Sequence, residues 1–295
     1  MNAFAKHALA ALALVFSLSL TSCDRENAIA PGRPEAGETV PRPTGNTPND
    51  GPVSVFKKYT LVKYGHWQLT YDNTGDLVKK QSTIDPTLFR EYSRASNGSG
   101  MTILDMNGGK MSGKTLILFD GKGRAKESFI TKYGFANGQQ TAVTTRFAYQ
   151  YNADNRLEKI TNLDNGNHYF LFTYNGNGDR SKVEMYNSGK KTVTTYTYVG
   201  FNQPLIPDYN RMNLAWMPLY DKIDEHLPIY GKANKNLPRN LEFLDVPSGQ
   251  VTDKVSYKYN LNADGYILQR EETRQTAGQT LVDTFSFDYI VSMGL

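Results

Sequence analysis

Acidic and histidine side chains that could hold a metal ion cluster in one short stretch of this 295-residue chain. Asp221, Asp224, Glu225 and His226 lie within six residues and would share one face if the segment were helical. Carboxylate oxygens and imidazole nitrogens are ligands for zinc. A run of this kind is more often a solvated helix face. We therefore consider a metal site here but do not predict one.

A second spacing imitates a calcium-binding loop. Asn260, Asn262 and Asp264 alternate, Gly265 follows, and Glu271 comes six residues later, which matches the ligand spacing of an EF-hand. The first ligand position holds Asn instead of Asp, and the stretch lies between strand patterns, where an EF-hand needs helices. A hairpin turn explains the same residues, and we predict no metal and no cofactor.

No catalytic motif connects the remaining candidate residues. His66, His168 and His226 are isolated in the sequence, and the chain has no Gly-x-Ser-x-Gly, no His-x-x-x-His and no phosphate-binding loop. We therefore predict that the protein is not an enzyme. An active site assembled from residues far apart in the sequence stays a minor alternative.

The only cysteine, Cys23, follows a secretory signal. Lys6 supplies the positive charge, residues 8–20 form an apolar stretch too short to span a bilayer, and small residues precede the cysteine. Leu20-Thr21-Ser22-Cys23 resembles the lipobox of bacterial lipoproteins. The resemblance implies that residues 1–22 are removed and that Cys23 carries the lipid. We expect a lipid-anchored protein of the cell envelope in the outer membrane, with the periplasmic or surface face left open.

The organisation of the mature chain follows from its composition. Residues 23–52 hold the lipidated Cys and a stretch rich in Pro and Gly without aromatic residues, which is typical of a disordered stalk. Residues 53–295 form one domain. The whole chain has a net charge of +4, and the basic residues of the domain are scattered without a cluster or a nucleic-acid-binding motif, so we predict no nucleic-acid partner. The expected partners are the membrane, through the N-terminal lipid, and a glycan or a protein.

Alternating residues predict strands throughout the domain. Aromatic residues recur at every second position and polar residues separate them, a pattern of strands with one apolar and one wetted face. Clean alternation favours antiparallel pairing. We predict that the aromatic residues form the core, and the alternative is a surface on which sugars or bases stack. The pairs and triplets are Phe147/Tyr149/Tyr151, Phe172/Tyr174, Tyr196/Tyr198, Tyr257/Tyr259 and Phe285/Phe287/Tyr289.

Similar turns follow these strands, at residues 71–77, 119–124, 151–157, 174–180 and 259–266. Asn, Asp and Gly collect there because hairpin loops need positive φ and side chains that bond their own backbone. The aromatic–Asp/Asn–x–x–Gly unit resembles the YD repeat of Rhs-type bacterial proteins. The stretch 230–238, with the Tyr and Asp-Gly units after it, is similar to an uncharacterised YD-like β domain of envelope lipoproteins from gut and oral Gram-negative anaerobes. That family implies an architecture and a location but no activity.

The segment 201–235 interrupts the strand rhythm. Its prolines disfavour pairing, and apolar residues recur at three- to four-residue spacing, which predicts a short helical insertion around residues 208–227. We expect it to plug the concave face of the sheet. The alternative is a ligand pocket, with Tyr209, Trp216 and Tyr220 as walls and Trp67 as a further candidate ligand-binding residue.

These observations predict an all-β fold, an antiparallel meander of β-hairpins whose twisted sheet curls toward an open half-barrel. The predicted function is a lipid-anchored binding or scaffold module of the cell envelope that recognises a glycan or protein. The alternative function is a carrier that holds an apolar ligand or lipid against the concave aromatic face.

Overall fold

The computed structural model describes residues 56–136, 139–200, 203–210 and 222–294. The predicted signal peptide, Cys23 and the stalk lie outside these ranges. No helix long and apolar enough to cross a membrane occurs in the part of the chain that is described.

The described residues form sixteen β-strands. Their bounds are β1 Phe56–Tyr64, β2 Trp67–Tyr71, β3 Leu77–Ser82, β4 Phe89–Arg94, β5 Gly100–Asn107, β6 Lys110–Phe119, β7 Ala125–Ala136, β8 Gln139–Tyr151, β9 Leu157–Asn162, β10 His168–Tyr174, β11 Arg180–Asn187, β12 Lys190–Thr197, β13 Asn240–Asp245, β14 Gln250–Leu261, β15 Ile267–Thr276 and β16 Gln279–Gly294. The prediction of an all-β chain of successive strands is confirmed.

The sheet closes into a barrel. Each strand pairs antiparallel with the next one in the chain, and β1 pairs with β16 along a register that runs from Phe56 opposite Gly294 to Tyr64 opposite Phe287. The antiparallel meander is therefore confirmed, whereas the expected open half-barrel is wrong. Closure pairs the two strands that a half-barrel would leave as free edges.

The two faces of the wall differ in polarity. On β14, Val255 and Tyr257 are buried, whereas Lys254, Ser256 and Lys258 beside them are exposed. The same alternation places charged side chains outward on other strands, among them Lys79, Glu91, Lys114, Glu127, Lys159, Lys182, Lys191, Glu242 and Glu271. Outward apolar residues such as Leu116 and Ile290 are interspersed with these charges. The inward face carries the core.

Aromatic and branched aliphatic side chains fill the interior. Phe147, Tyr149, Phe172, Tyr196 and Tyr257 are all less than one-tenth exposed and belong to one continuous cluster of buried residues. These are the residues that the alternating pattern predicted to be core. The interpretation of the recurring aromatic residues as core is confirmed at these positions.

Five hairpins share one turn and lie at the same end of the barrel, here named the turn end. In each, the first residue of the turn accepts on its side-chain Oδ1 the N–H four residues later. The fourth residue has positive φ and is Gly in four turns and Asn155 in the fifth. The first residues are Asp72, Asp120, Asn152, Asn175 and Asn262. The predicted hairpin turns are confirmed, and the resemblance to YD-repeat proteins stays a prediction.

The chain between β12 and β13 leaves and returns at the turn end and packs inside the rim. Its described parts, residues 203–210 and 222–239, are named the plug. Ile223, Leu227, Ile229 and Leu237 of the plug belong to the buried cluster. The role of this insertion as a plug is thus confirmed for its described residues.

The described residues of the plug form turns and irregular backbone without a helix, so the helix expected around 208–227 is wrong for 208–210 and 222–227. The reason lies in the hydrogen bonds. Lys235 O, on the other arm of the plug, accepts a hydrogen bond from the N–H of Asp208, and Lys222 O accepts one from the hydroxyl of Tyr149 on β8. Backbone groups that a helix would pair internally are paired with the other arm and with the wall instead.

Candidate functional site

A cavity of about 310 Å³ lies between the plug and strands β4–β7. The plug contributes residues 222–224 and Tyr230 to its lining. The wall contributes Arg90, Ile103, Asp105, Ser112, Thr115, Ile130 and Lys132, among others. Arg90, Asp105, Ser112 and Lys132 belong to the half of their strands away from the turn end, and the three other named wall residues lie near the middle of theirs. The cavity therefore lies toward the opposite end of the barrel, here named the far end.

One arginine connects the wall of the cavity with the plug. Arg90 donates from Nε to Asp105 Oδ1 at 2.6 Å and from Nη1 to Asp224 Oδ2 at 2.8 Å. Tyr92 donates its hydroxyl to the same Asp224 oxygen at 2.6 Å. Asp105 is on β5 directly opposite Arg90, so the sheet register itself brings this pair together. The cluster holds two carboxylates around one guanidinium.

The position of Asp105 depends on a glycine opposite it on β6. A Cβ built on Gly113 would lie 2.9 Å from Asp105 Oδ2 and 3.4 Å from Thr131 O. A side chain at position 113 would therefore have to displace the Asp105 carboxylate. Gly113 leaves the space in which Asp105 meets Arg90.

Electrostatics keep Asp224 ionised although it is buried. Burial alone would raise the pKa of Asp224, but the charges of Lys80 and Arg90 together with the Tyr92 hydrogen bond hold it far below its ordinary value. Burial raises the pKa of Tyr92 well above its ordinary value, and the negative charge of Asp224 beside the phenol raises it further. The cluster is thus a carboxylate held by cations and a neutral phenol.

Burial shifts the pKa values of the two neighbouring plug residues, Glu225 and His226, in opposite directions, and both shifts favour the neutral side chain. Burial raises the pKa of Glu225, and the carboxylate of Asp224 adds to this, while Lys80 lowers it. Burial lowers the pKa of His226 to about 3, and the positive charge of Lys80 contributes. Neither ring nitrogen of His226 has a hydrogen-bond partner among the described residues. His226 is a neutral imidazole packed near the ring of Tyr64, at a centroid distance of 5.8 Å.

The acidic stretch that could hold a metal is therefore divided between different environments. Asp224 Oδ2 accepts from Arg90 and Tyr92, and its Oδ1 accepts, among the described residues, only the backbone N–H of His226, at 3.1 Å. The ring of His226 lies 3.8 Å from a carboxylate oxygen of Glu225. Asp221 lies outside the described residues. Within the described ranges, no group of three His, Cys, Asp or Glu side chains is arranged to hold a metal ion.

The residues that imitate a calcium loop also have separate roles. Asn262 begins the β14–β15 hairpin turn and accepts the N–H groups of Asp264 and Tyr266. Asp264 is bound to Lys57 and to the hydroxyl of Tyr59, while Glu271 accepts from Lys258 on the outer wall. The hairpin turn accounts for this spacing, as the sequence suggested.

The predicted ligand-binding residues are not brought together. Trp67 begins β2 at the far end, is half-buried, and carries Lys80 Nζ 5.0 Å from the centre of its ring. Tyr209 lies on the plug at the turn end, is 48% exposed, and contacts the ring of Tyr266 at 5.5 Å. Trp216 and Tyr220 lie outside the described residues. Trp67 and Tyr209 do not line the cavity.

The cavity residues Arg90, Asp105, Lys132 and Lys222 were not singled out by the sequence. The sequence did contain a signal for Arg90, because Arg90 and Tyr92 occupy alternate positions of β4 and therefore share one face of the strand. The pattern places Arg90 on the same face as a buried tyrosine. A charge on the apolar face of a strand needs a buried partner, and that requirement points to a polar cluster inside the barrel.

Comparisons with known proteins establish the fold. No family model matches the chain, and no curated protein matches it. A porin-like protein from Bacteroides vulgatus ATCC 8482 is similar in structure, with 14% sequence identity and a TM-score of 0.52 over 78% of this chain and 98% of that one. A porin-like protein from Bacteroides uniformis ATCC 8492 is similar at 15% identity and a TM-score of 0.52, over 77% of this chain and 89% of that one. The likeness extends to the β-barrel and not to a ligand or an activity.

Proposed function

We propose that this chain is a plugged β-barrel of the cell envelope whose wall faces water and which binds a small polar ligand in the cavity between the plug and β4–β7. The observation that carries the proposal is the polarity of the wall, whose inner face is mostly aromatic and aliphatic and whose outer face carries charged side chains on many strands. The secretory signal and the lipobox resemblance at Cys23 support the envelope location. The porin-like description of the two structural neighbours agrees with it.

The outer wall is unsuited to lipid. A membrane-spanning barrel presents an apolar band about 25 Å tall to the lipid and keeps its polar residues inside. Here Lys254 and Lys258 are exposed on β14, and Glu242 and Glu271 are on the flanking strands. A Lys or Arg on the lipid face costs about 2–4 kcal/mol at the bilayer midplane. Membrane attachment through a lipid at Cys23 avoids that cost.

The plug argues against conduction through the barrel. Asp179 in the β10–β11 turn accepts the N–H groups of Lys235 and Asn236 at 2.8 and 2.9 Å, and Arg156 Nη1 donates to Ala233 O at 2.8 Å. Both arms of the plug are tied to the rim, since Asn210 Nδ2 donates to the Tyr289 hydroxyl at 3.0 Å. The turn end is thereby covered by backbone fixed to the wall.

Binding is supported by the shape and chemistry of the cavity. Its volume of about 310 Å³ lies at the lower end of the range of small-molecule sites. Charged side chains make up about a third of its lining, and Arg90 is fixed by two carboxylates. The carrier alternative needs a large apolar cavity, whereas the inward aromatic side chains of the described residues pack against one another. We therefore propose a polar ligand and not a lipid.

The proposal is tested by combining lipid-exposure labelling with bilayer conductance on the full chain. A photoactivatable hydrophobic diazirine, with the protein reconstituted in vesicles, should label the N-terminal lipidated peptide and leave peptides from β1–β16 unlabelled. Planar bilayers should show no channel conductance. Labelled strands or discrete conductance steps would overturn the proposal.

The binding part of the proposal is tested separately by saturation-transfer NMR with mono- and disaccharides. Gly113→Val places its side chain against Asp105 and should abolish binding. Gly121→Val is the matched control, because a Cβ at Gly121 meets no atom within 4 Å. Equal binding by both variants would remove this cavity as the site.

A further inference from the structure

Three tyrosine rings form a row at the turn end, apart from the cavity. Tyr59 on β1 stacks on Tyr266 at a centroid distance of 4.1 Å, and Tyr266 contacts Tyr209 of the plug at 5.5 Å. These three residues are named the tyrosine row. They come from the first strand, the β14–β15 turn and the plug, so the row is assembled only when the barrel has closed and the plug is in place.

Tyr209 is held in position and still presents its side chain to solvent. A Cβ on Gly265 would lie 2.5 Å from Tyr209 Cε2, and Gly265 has a φ of +86°, so a glycine is needed for the ring to lie against this turn. With Gly265 and Tyr266 beside it, Tyr209 is 48% exposed. A side chain that packing has already ordered loses little conformational entropy when a ligand covers it.

Exposed aliphatic side chains continue this surface along the last strand. Val291 lies directly opposite Tyr59 in the β1–β16 register, and Met293 lies directly opposite Lys57. Both are exposed, and residues paired in this way project to the same face of a sheet. A patch of exposed aromatic and aliphatic side chains is typical of a binding surface.

Lys57 and Asp264 add groups of opposite charge at the Tyr59 end of the tyrosine row. Asp264 Oδ2 accepts from Lys57 Nζ at 3.0 Å and from the Tyr59 hydroxyl, whereas Oδ1 accepts no hydrogen bond from any described residue. The hydrogen bonds from Tyr59 and Lys57 lower the pKa of Asp264, which keeps the carboxylate ionised. Both charged side chains are exposed and their charges balance, so the pair offers an acceptor and donors to a neutral ligand.

Pyranose sugars match this combination of groups. A pyranose with equatorial hydroxyls presents C–H groups on the faces of its ring and hydroxyls at its edge. The C–H groups pack on an aromatic ring, whose face is the negative part of its quadrupole, and the hydroxyls donate to a carboxylate in hydrogen bonds that the charge strengthens. A row of three rings is longer than one sugar, and no described residue closes it to a longer ligand.

We infer that the tyrosine row is a surface site for a neutral polysaccharide of pyranose units with equatorial hydroxyls. One sugar lies on Tyr209, and the hydroxyls of a neighbouring unit bind Asp264 and Lys57. This site is additional to the proposed cavity site, whose volume of about 310 Å³ admits only a small ligand. A polymer presents many equivalent units at a high effective concentration, which raises its apparent affinity above that of a single sugar.

Affinity electrophoresis of the full chain, in native gels that contain a soluble mixed-linkage β-glucan, tests the inference. The glucan should retard the protein relative to a gel without polymer, whereas polyvinyl alcohol, which has hydroxyls but no sugar ring, should not. Tyr209→Ala should raise the dissociation constant at least about fivefold because it removes the exposed ring, and Tyr209→Phe should change it less than about twofold. Asp264→Asn should raise it about fivefold, the difference between hydrogen bonds to a charged and to a neutral group.

Tyr169→Ala is the matched control. Tyr169 is a half-buried tyrosine of the outer wall, and its ring is flanked on both sides, by Tyr186 at a centroid distance of 4.4 Å and by Lys159 Nζ at 4.9 Å from its centre. Its loss should change glucan binding less than about twofold. Gly113→Val, which addresses the cavity, should also retain glucan binding and thereby separates the two sites.

Four results would overturn the inference. These are no retardation by the glucan, equal retardation by polyvinyl alcohol, a dissociation constant in Tyr209→Ala or Asp264→Asn equal to that of Tyr169→Ala, and loss of glucan binding in Gly113→Val. The labelling, conductance and small-saccharide experiments decide the proposed function independently of these results.

Discussion

Asp179 offers the sharpest test of how the plug is held. Its side chain is fully buried and accepts three hydrogen bonds from the plug, from the N–H groups of Lys235 and Asn236 and from Asn236 Nδ2 at 2.7 Å. We predict that Asp179→Ala strongly destabilises the protein because it leaves these three donors without an acceptor. Asp154 serves as the control, since it is exposed in the turn of the neighbouring β8–β9 hairpin.

The magnitude follows from the contacts. A hydrogen bond to a charged group contributes about 1.5–3 kcal/mol, but the three bonds share one acceptor group and are not additive. We therefore expect Asp179→Ala to lower the free energy of unfolding by about 3–5 kcal/mol, because each donor left buried without a partner costs about 1–3 kcal/mol. Asp179→Asn keeps one acceptor oxygen and should cost about half as much. Asp154→Ala should stay within about 0.5 kcal/mol of the parent chain.

Two measurements on the full chain separate local from global effects. Urea denaturation gives the free energy of unfolding of each variant, and hydrogen exchange gives the protection of single amides. In Asp179→Ala, the amides of Lys235 and Asn236 should lose more protection than those of the strands. A loss below about 1 kcal/mol, or unchanged protection of these two amides, would refute the role assigned to Asp179.

Three further predictions concern the anchor, the pH dependence and the turns. Cys23→Ser should abolish incorporation of an alkyne-labelled fatty acid and release the protein from the membrane fraction; retained label would exclude Cys23 as the site. Burial lowers the pKa of His226 to about 3, so the unfolded state binds more protons between about pH 3 and 6.5, and stability should fall with decreasing pH by up to about 1.4 kcal/mol per unit. His226→Phe should flatten that slope in denaturation curves measured from pH 4.5 to 7.5, whereas an unchanged slope would assign it elsewhere. Gly75 and Gly265 have nearly the same φ, +87° and +86°, but only at Gly265 would a Cβ meet another side chain, 2.5 Å from Tyr209 Cε2. Gly75→Ala should therefore cost about 1–2 kcal/mol and Gly265→Ala measurably more, and equal thermal shifts would contradict the assigned contact.

The sequence was most informative where the determinants are local. Alternation at Phe147/Tyr149 and Val255/Tyr257 identified inward faces, because the strand period fixes which side chains share a face. The turns at Asp72 and Asn175 were readable because their side chains bond backbone groups only a few residues away. Both features depend on fewer than ten consecutive residues.

Closure of the barrel and the Arg90 cluster could not be predicted from the sequence, because both depend on contacts between residues far apart in the chain. The pairing of Phe56 with Gly294 joins the two ends of the domain, and no local pattern encodes whether a meander meets itself. The Arg90–Asp224 pair likewise joins a strand to the plug across 134 positions. Asp224 was noticed for its neighbours in the sequence, whereas its actual partners lie on β4. Contacts of this kind depend on topology, which periodicity does not specify.

Closure of the barrel through its first and last strands makes completion of the fold a late kinetic event. Every hairpin can form as soon as its two strands exist, but β1 must wait for β16, the last strand of the domain. Joining ends so far apart costs about 3 kcal/mol more chain entropy than closing a loop of about ten residues. Until then β1 and β15 each expose an unpaired edge and the apolar interior is open, which leaves the incompletely folded chain prone to aggregation. Because Phe56 and Gly294 end as neighbours, a circular permutant that links them and opens the β5–β6 hairpin would turn this slow junction into a local one and should fold faster.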